Sequence, residues 1–206
     1  MFGDPVHFIA RLPALLVGLV FHEYAHARAA NFCGDPTAKY AGRLTLNPLP
    51  HLDLMGTICL LFSGFIGWAK PVPVNPAYYR KPWAEYLVSL AGVGTNLALA
   101  IAAGILIRVL NVLNVPLVDY VWLMLAYMVI INIALMLFNL LPIAPLDGSH
   151  VMMELLPYRY KERYANFNRY GPILILVLAM SGAASGVIFG PMRVLVHIIT
   201  GMPLLG

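Results

Sequence analysis

The chain has 206 residues, of which 61% are hydrophobic and 11% charged, and its formal net charge at pH 7 is +4. A soluble domain of this size carries about 25% charged residues, so the composition excludes an ordinary soluble protein and predicts that lipid covers much of the surface. The small net charge, without a long basic run, argues against nucleic acid as a partner. We expect one membrane domain over residues 1–206.

The first predicted element is a membrane-spanning helix from about Val6 to Cys33. A helix crosses the bilayer with about 20 residues, so this segment is long enough, although Pro13 is expected to start or kink it. Its second half carries the polar sequence HEYAH (residues 22–26), and Gly-Asp-Pro at 34–36 is a typical signal for its end.

The part of the chain that follows is predicted to be irregular. Residues 53–67 are apolar but too few for a comfortable span, which favours a re-entrant or strand-like element. Residues 68–82 (WAKPVPVNPAYYRKP) contain four prolines and cannot form a helix. They predict extended backbone, which membrane proteins tolerate only where other protein covers it.

Three further spans are predicted at 84–107, 117–141 and 172–189. In the first of them, small residues predict close contact with another helix, namely Gly92, Gly94, Ala98 and Ala102. Residues 157–170 are expected to form a basic, tyrosine-rich interfacial loop, and 191–205 a half-span or surface helix. The predicted fold class is an all-α integral membrane bundle of about four to six spans, with a re-entrant, partly extended segment after the first helix.

The distribution of lysine and arginine predicts the orientation. If the first helix begins outside and residues 53–67 re-enter, ten of the basic residues lie on the inner side: Arg28, Lys39, Arg43, Lys70, Arg80, Lys81, Arg159, Lys161, Arg163 and Arg169. Only Arg11, Arg108 and Arg193 lie elsewhere. By the positive-inside rule, HEYAH then lies toward the cytoplasmic half of its helix.

HEYAH has the pattern HExxH, which places His22 and His26 one helical turn apart, so that both imidazoles can bind one zinc ion. Glu23 can then act as general base toward a zinc-bound water. Polar groups of this kind are costly inside an apolar span. A functional role is therefore favoured over a structural His/Glu cluster that only bonds to neighbouring helices.

A catalytic zinc site needs a third protein ligand and an open position for water. One zincin pattern would place a histidine six residues after His26, but Phe32 stands there. The nearest downstream glutamate is Glu85, beyond the proline-rich stretch. Asp35 is expected to have a turn or capping role, and Asp53 begins the re-entrant element.

Asp147 remains as a candidate, in the stretch NLLPIAPLDG at residues 139–148. Pro142 and Pro145 break the preceding helix there, so the carboxylate is able to turn inward. It is equally able to cap the next helix, which is predicted to begin near Ser149. The residues alone leave both roles open.

Together these motifs resemble the site-2 protease family of intramembrane zinc metalloproteases, in its compact prokaryotic form without PDZ or CBS domains. HEYAH in a membrane helix, followed more than a hundred residues later by NLLPIAPLDG, carries the resemblance. GWAKPVPVNP (67–76) is similar to the proline-rich loop of the compact prokaryotic members. AGVGTN (91–96) is similar to the family's Ala-Gly-Pro-x-x-Asn element.

By position, the resemblance implies that Zn2+ is bound by His22, His26 and Asp147 and that Glu23 is the catalytic base. It implies auxiliary polar roles near the substrate or the oxyanion for Asn96 and Asn139. Two positions depart from the family pattern, since Val93 and Ala144 stand where proline is usual or frequent. Neither residue is one of the implied zinc ligands, so these departures affect the expected shape of the loops and not the expected zinc chemistry.

The resemblance further implies regulated intramembrane proteolysis: hydrolysis of a peptide bond within or near the transmembrane segment of membrane-anchored proteins. The site would face the cytoplasm from a prokaryotic cell membrane. The alternative is a membrane zinc-binding or transport protein that uses the same His/Asp cluster. A transporter needs a polar path across the bilayer, and the spans at 84–107 and 117–138 offer only Glu85, Asn96, Asp119 and Asn132.

Overall fold

The structure is a computed structural model that describes residues 5–63 and 67–201. The described chain forms nine α-helices: α1 (Pro5–Cys33), α2 (Thr37–Tyr40), α3 (Leu54–Ser63), α4 (Ala84–Val112), α5 (Asp119–Asn139), α6 (Asp147–Leu155), α7 (Tyr158–Asn168), α8 (Gly171–Ser181) and α9 (Ala183–Thr200). Short 3-10 turns lie at Leu49–His51 and Pro76–Tyr78.

Three helices, α1, α4 and α5, are long and apolar enough to cross a membrane. They pack against one another, and α9 packs against α4 and α5. The main core lies between α4, α5 and α9, where Ala100, Val129 and Ile133 are fully buried beside Met192 and Val196. This confirms the predicted all-α membrane bundle, and α1 runs unbroken through Pro13.

The last two helices divide differently from the prediction. Instead of one span at 172–189, α8 ends at Ser181 and α9 begins at Ala183. Gly182 lies between them in the left-handed conformation, with φ of 70°, which glycine adopts without steric penalty. The boundary predicted at Pro191 is wrong, because α9 continues through that proline; residues 202–205 of the predicted half-span lie outside the described residues.

The re-entrant segment begins as a helix. Asp53 accepts a hydrogen bond from the Gly56 amide at 2.8 Å, and α3 then runs for 10 residues, about 15 Å at the rise of an α-helix. That is half the thickness of the hydrocarbon core. Residues 64–66 of the predicted element lie outside the described residues.

After α3 the chain has no helix over residues 67–75, as the proline pattern predicted, whereas Pro76–Tyr78 form a 3-10 turn, so the prediction is wrong there. Leu52 pairs with Ala69 in an isolated antiparallel bridge, and the Lys70 amide donates to the His51 carbonyl at 2.8 Å. We refer to residues 70–75 (Lys-Pro-Val-Pro-Val-Asn) as the strap.

The predicted interfacial loop at 157–170 is mostly helical, since α7 spans Tyr158–Asn168. No proline or glycine interrupts those residues, so nothing in the backbone opposes a helix. The Tyr164 hydroxyl donates to the Pro142 carbonyl at 3.0 Å, which ties α7 to the loop before α6.

The small residues of α4 do not all serve helix contact. Gly92 and Gly104 are buried against neighbouring helices, whereas a Cβ added at Gly94 would meet nothing within 4 Å. Ala98 and Ala102 are exposed with Gly94 on the outer face. The contact face of α4 is offset from the predicted one, because it follows Gly92, Asn96, Ala100 and Gly104.

We expect Gly104→Ala to destabilise the bundle. Its Cβ would collide with the Ile199 side chain of α9 and lie 3.1 Å from the Ile199 carbonyl oxygen, and such overpacking costs about 1–3 kcal/mol. Thermal unfolding of the purified protein measures the effect. Gly94→Ala, in the same helix with open space around it, should leave the unfolding midpoint unchanged or slightly raised; equal behaviour of the two variants would contradict this packing of α4 against α9.

Candidate metal centre

Three side chains from two distant parts of the chain converge in the interior. His22 and His26 lie one turn apart on α1, with their Nε2 atoms 3.0 Å apart. Asp147, the first residue of α6, places its Oδ2 atom 3.3 Å from the His22 Nε2 and 3.2 Å from the His26 Nε2. These residues form the one His/Cys/Asp/Glu group of at least three that could hold a metal ion within the described ranges.

The loop between α5 and α6 brings Asp147 to the histidines. A Cβ at Gly148 would lie 2.6 Å from the Leu141 carbonyl oxygen and collide with that of Leu140, so only glycine lets the loop fold back this tightly. The loop is also held from α7, because the Ala144 amide donates to the Asn168 Oδ1 at 3.2 Å. As a result the Asp147 side chain faces α1 and does not cap α6.

The hydrogen bonds behind His22 determine which of its ring nitrogens carries the proton. Its Nδ1 lies 2.7 Å from the Oδ1 of Asn96. The Asn96 amide nitrogen donates to the Gly18 carbonyl at 3.1 Å and to the Asn132 Oδ1 at 2.9 Å, so its oxygen must be the atom that faces the imidazole. His22 therefore donates from Nδ1, and in the neutral ring Nε2 carries the lone pair.

His26 is oriented in the same sense. Its Nδ1 lies 2.7 Å from the Val88 carbonyl oxygen on α4, which can only accept, so Nδ1 again carries the proton. Two Nε2 lone pairs and a carboxylate oxygen thus face one another. The Asp147 Oδ2 is buried and has no hydrogen-bond donor among the described residues.

This arrangement of acceptors fits a zinc ion. Three electron-rich atoms held together in a buried site repel one another unless a cation lies between them. Two imidazole nitrogens and one carboxylate oxygen form a common catalytic zinc ligand set that leaves a fourth position open. Ligand atoms about 2.0 Å from a tetrahedral ion lie about 3.3 Å apart, which matches the separations of 3.2 and 3.3 Å to Asp147.

Close contact with α4 is a condition of this geometry. A Cβ at Gly92 would lie 2.5 Å from the His22 Cε1 and 2.6 Å from its Nδ1, and it would collide with the His26 Nε2. Glycine is thus the residue type that allows α4 to pack directly on both imidazoles.

Glu23 lies beside the cluster but is not part of it. It is partly buried on α1, and its Oε2 accepts a hydrogen bond from the Val72 amide of the strap at 2.8 Å. Its other oxygen, Oε1, has no partner within the described part of the chain. The Glu23 carboxylate is thus held by the strap through Oε2, and its Oε1 is available to accept another hydrogen bond.

The two predicted auxiliary asparagines are placed differently. Asn96 is fully buried behind His22, where its amide orients the imidazole. Asn139 is partly buried at the end of α5, and its amide nitrogen donates to the Leu135 carbonyl of the same helix at 3.0 Å. Within the described residues, no hydrogen bond joins Asn139 to the three-residue cluster.

The other carboxylates considered from the sequence serve structure. Asp35 accepts from the Thr37 amide at 2.9 Å, as its turn sequence predicted, and Asp53 begins α3. Glu85 lies 3.5 Å from the Nδ1 of His150. This contact raises the pKa of His150 above its ordinary value.

Sequence reasoning missed several contributors. Asn132 holds Asn96 from α5, and its presence in an apolar span was the available signal. The role of the Val88 carbonyl could not be predicted from the sequence, because every residue has a backbone carbonyl. His51 was also missed: it is 1% exposed, and its Nε2 lies 2.8 Å from the Thr45 carbonyl oxygen.

Proteins with similar sequences carry names that refer to zinc-dependent proteolysis. A Bacillus subtilis (strain 168) protein, YwhC, named as a candidate zinc metalloprotease, is 39% identical over 186 residues, which cover 85% of this chain and 82% of the relative. Rip2 of Mycobacterium tuberculosis (strain H37Rv), named in the same way, is 29% identical over 187 residues, 89% of this chain and 71% of the relative.

The family model of peptidase family M50 matches residues 113–181, a stretch that includes Asp147 and the loop that positions it. No solved structure matches the chain.

Gly92→Ala should strongly reduce metal binding, because the added methyl group would displace both imidazoles. Perturbing the groups that orient metal-binding histidines typically lowers affinity about 10–100-fold, and we expect at least the lower figure. The measurement is a zinc titration of the metal-free protein, followed by a chromophoric competitor. Gly94→Ala is the matched control on the open side of the same helix; unchanged affinity in Gly92→Ala would contradict the packing described here.

Proposed function

The chain belongs to peptidase family M50, the site-2 proteases, and on that premise we propose that it is a zinc-dependent endopeptidase that cleaves membrane-anchored proteins within or near their transmembrane segments. The family assignment confirms the resemblance stated from the motifs. Membership of this family makes the protein a membrane metalloprotease. The identity of the zinc ligands, the general base and the class of substrate are our proposals.

One observation carries the proposal: the three converging acceptors His22 Nε2, His26 Nε2 and Asp147 Oδ2, the last of them buried without a donor among the described residues. Hydrogen bonds from behind deny a proton to either Nε2 of the neutral imidazoles. A bound cation resolves the repulsion. We therefore assign these residues as the zinc ligands.

When bound, the ion supplies Lewis acidity, which polarises the scissile carbonyl and acidifies a water molecule. Glu23 is the general base in this proposal. Its Oε1 takes the proton of the attacking water, and the same carboxyl group then delivers a proton to the leaving amine. The peptide C–N bond breaks, and water is divided between the new carboxylate and the new amine.

The position of the site supports the proposed substrate class. His22, Glu23 and His26 lie on α1, one of the three helices able to cross a membrane, and the strap brings extended backbone to the same place. A substrate helix must unwind before attack, because helical hydrogen bonds conceal its peptide groups. Opening onto the cytoplasmic side of a prokaryotic cell membrane is part of the proposal and is supported by the distribution of basic residues.

Two asparagines complete the proposed site. Asn96 acts on His22 by orienting its ring, as ligand-orienting groups do in other metal sites. For Asn139 we retain an auxiliary polar role near the substrate, since it lies at the end of α5, immediately before the loop that carries Asp147.

Glu23→Gln should retain zinc and lose proteolysis. Glutamine keeps the shape of the side chain but cannot accept the proton, and general bases contribute about 10²–10⁴-fold to rates; we expect kcat to fall by at least about 100-fold. The assay is cleavage of candidate single-span proteins in liposomes, with zinc content measured on the same preparation.

Glu162→Gln, at an exposed glutamate of α7, is the matched control and should cleave normally. Undiminished cleavage by Glu23→Gln would overturn the assignment of the base. Zinc flux across liposomes that survives in Glu23→Gln, without proteolysis by the unsubstituted protein, would support the transport alternative instead.

A further inference from the structure

The strap has few backbone donors, and nearly all of them are engaged. Pro71 and Pro73 have no N–H group. The Lys70 amide donates to the His51 carbonyl and the Asn75 amide to the Asp35 Oδ2 at 2.6 Å. Between these anchors the Val72 amide donates to Glu23 at 2.8 Å. Only the Val74 amide has no described partner.

Two buried charges hold the strap. Arg43 is 6% exposed, and its guanidinium donates to the carbonyls of Lys70 and Pro71. Asp35 is 0% exposed and receives the Asn75 amide. Neither forms an ion pair within the described ranges, and buried charges without an ion pair require hydrogen bonds. Both hydrogen bonds of Arg43 go to strap carbonyls, whereas Asp35 receives one from the strap and two from Thr37.

These anchors flank Val72 on both sides. Arg43 and the His51 carbonyl fix the strap immediately before it, and Asp35 fixes it three residues later. Asp35 is itself held by the Thr37 amide in the turn after α1. The strap therefore has little freedom to shift relative to α1, which carries Glu23.

We propose that the Val72 N–H is a positioning group for Glu23, and that Arg43 and Asp35 are the positioning residues that hold this N–H in place. This proposal rests on the proposed role of Glu23 as general base. The bond from Val72 holds one carboxylate oxygen at the strap, and the other oxygen then faces the water. A glutamate without this bond samples other rotamers. Misplacement of a catalytic group by about 1 Å can cost about 100-fold in rate.

Amide hydrogen exchange on the full chain tests the contact without any need for activity. Within residues 71–76 only Val72, Val74 and Asn75 carry an N–H, so a peptide containing that stretch reports on few amides. We expect slow exchange at Val72 and Asn75 and fast exchange at Val74. In Glu23→Ala, exchange at Val72 should accelerate at least about tenfold, while Asn75 stays protected.

The anchoring is tested with a pair of aspartates. Asp35→Asn replaces one acceptor oxygen with a donor, and it should accelerate exchange at both Asn75 and Val72. Asp53→Asn, at the start of α3 and without a described bond to the strap, should accelerate neither. Unchanged exchange at Val72 in Glu23→Ala, or in Asp35→Asn, would overturn the proposal.

Val72→Pro then tests the consequence for catalysis. It removes the N–H from a segment that already contains Pro71 and Pro73, so we expect kcat to fall at least about tenfold with KM and zinc content unchanged. Val74→Pro removes an N–H without a described partner and should retain kcat. Equal rates in the two variants would overturn the positioning role.

The two proposals fail differently. If the unsubstituted protein binds zinc but cleaves no membrane-anchored substrate, the proposed function fails, whereas the exchange pattern of Val72 still tests its bond to Glu23.

Discussion

The convergence of two imidazole nitrogens and one carboxylate oxygen in the interior is the constraint around which this molecule is arranged. Two imidazole nitrogens and a carboxylate oxygen are held within about 3.3 Å of one another in a buried place, which is unfavourable unless a cation is bound. The bundle supports this arrangement from behind. Asn96 and the Val88 carbonyl fix the two rings, Gly92 admits α4, and the Gly148 turn directs the carboxylate inward.

The sequence predicted what depends on local spacing and composition. His22 and His26 had to share a helix face, the proline-rich stretch had to be extended, and the long apolar segments had to be helices in lipid. Asp147 was different: the residues left it between ligand and cap, and only the family resemblance selected the ligand role. Its approach to α1 depends on tertiary contacts of the 140–146 loop with α7, which no local pattern encodes.

Other errors have equally specific causes. Gly94, Ala98 and Ala102 are small residues like Gly92, so size did not show which side of α4 faces its neighbours. The break at Gly182 depends on a single positive φ that glycine permits but does not require. The burial of Arg43 was not predicted, because the two backbone carbonyls that accept from its guanidinium are absent from any sequence pattern.

The amide of Asn96 has a consequence beyond orienting one ring. Its three hydrogen bonds reach His22 and the Gly18 carbonyl on α1 and Asn132 on α5, while Asn96 itself belongs to α4. The relative positions of α1, α4 and α5 therefore determine which ring nitrogen of His22 donates a hydrogen bond. With the proposed ion bound at His22, metal binding and helix packing would be thermodynamically linked. A shift of one of these helices would then change the affinity for the ion, and the bound ion would oppose that shift.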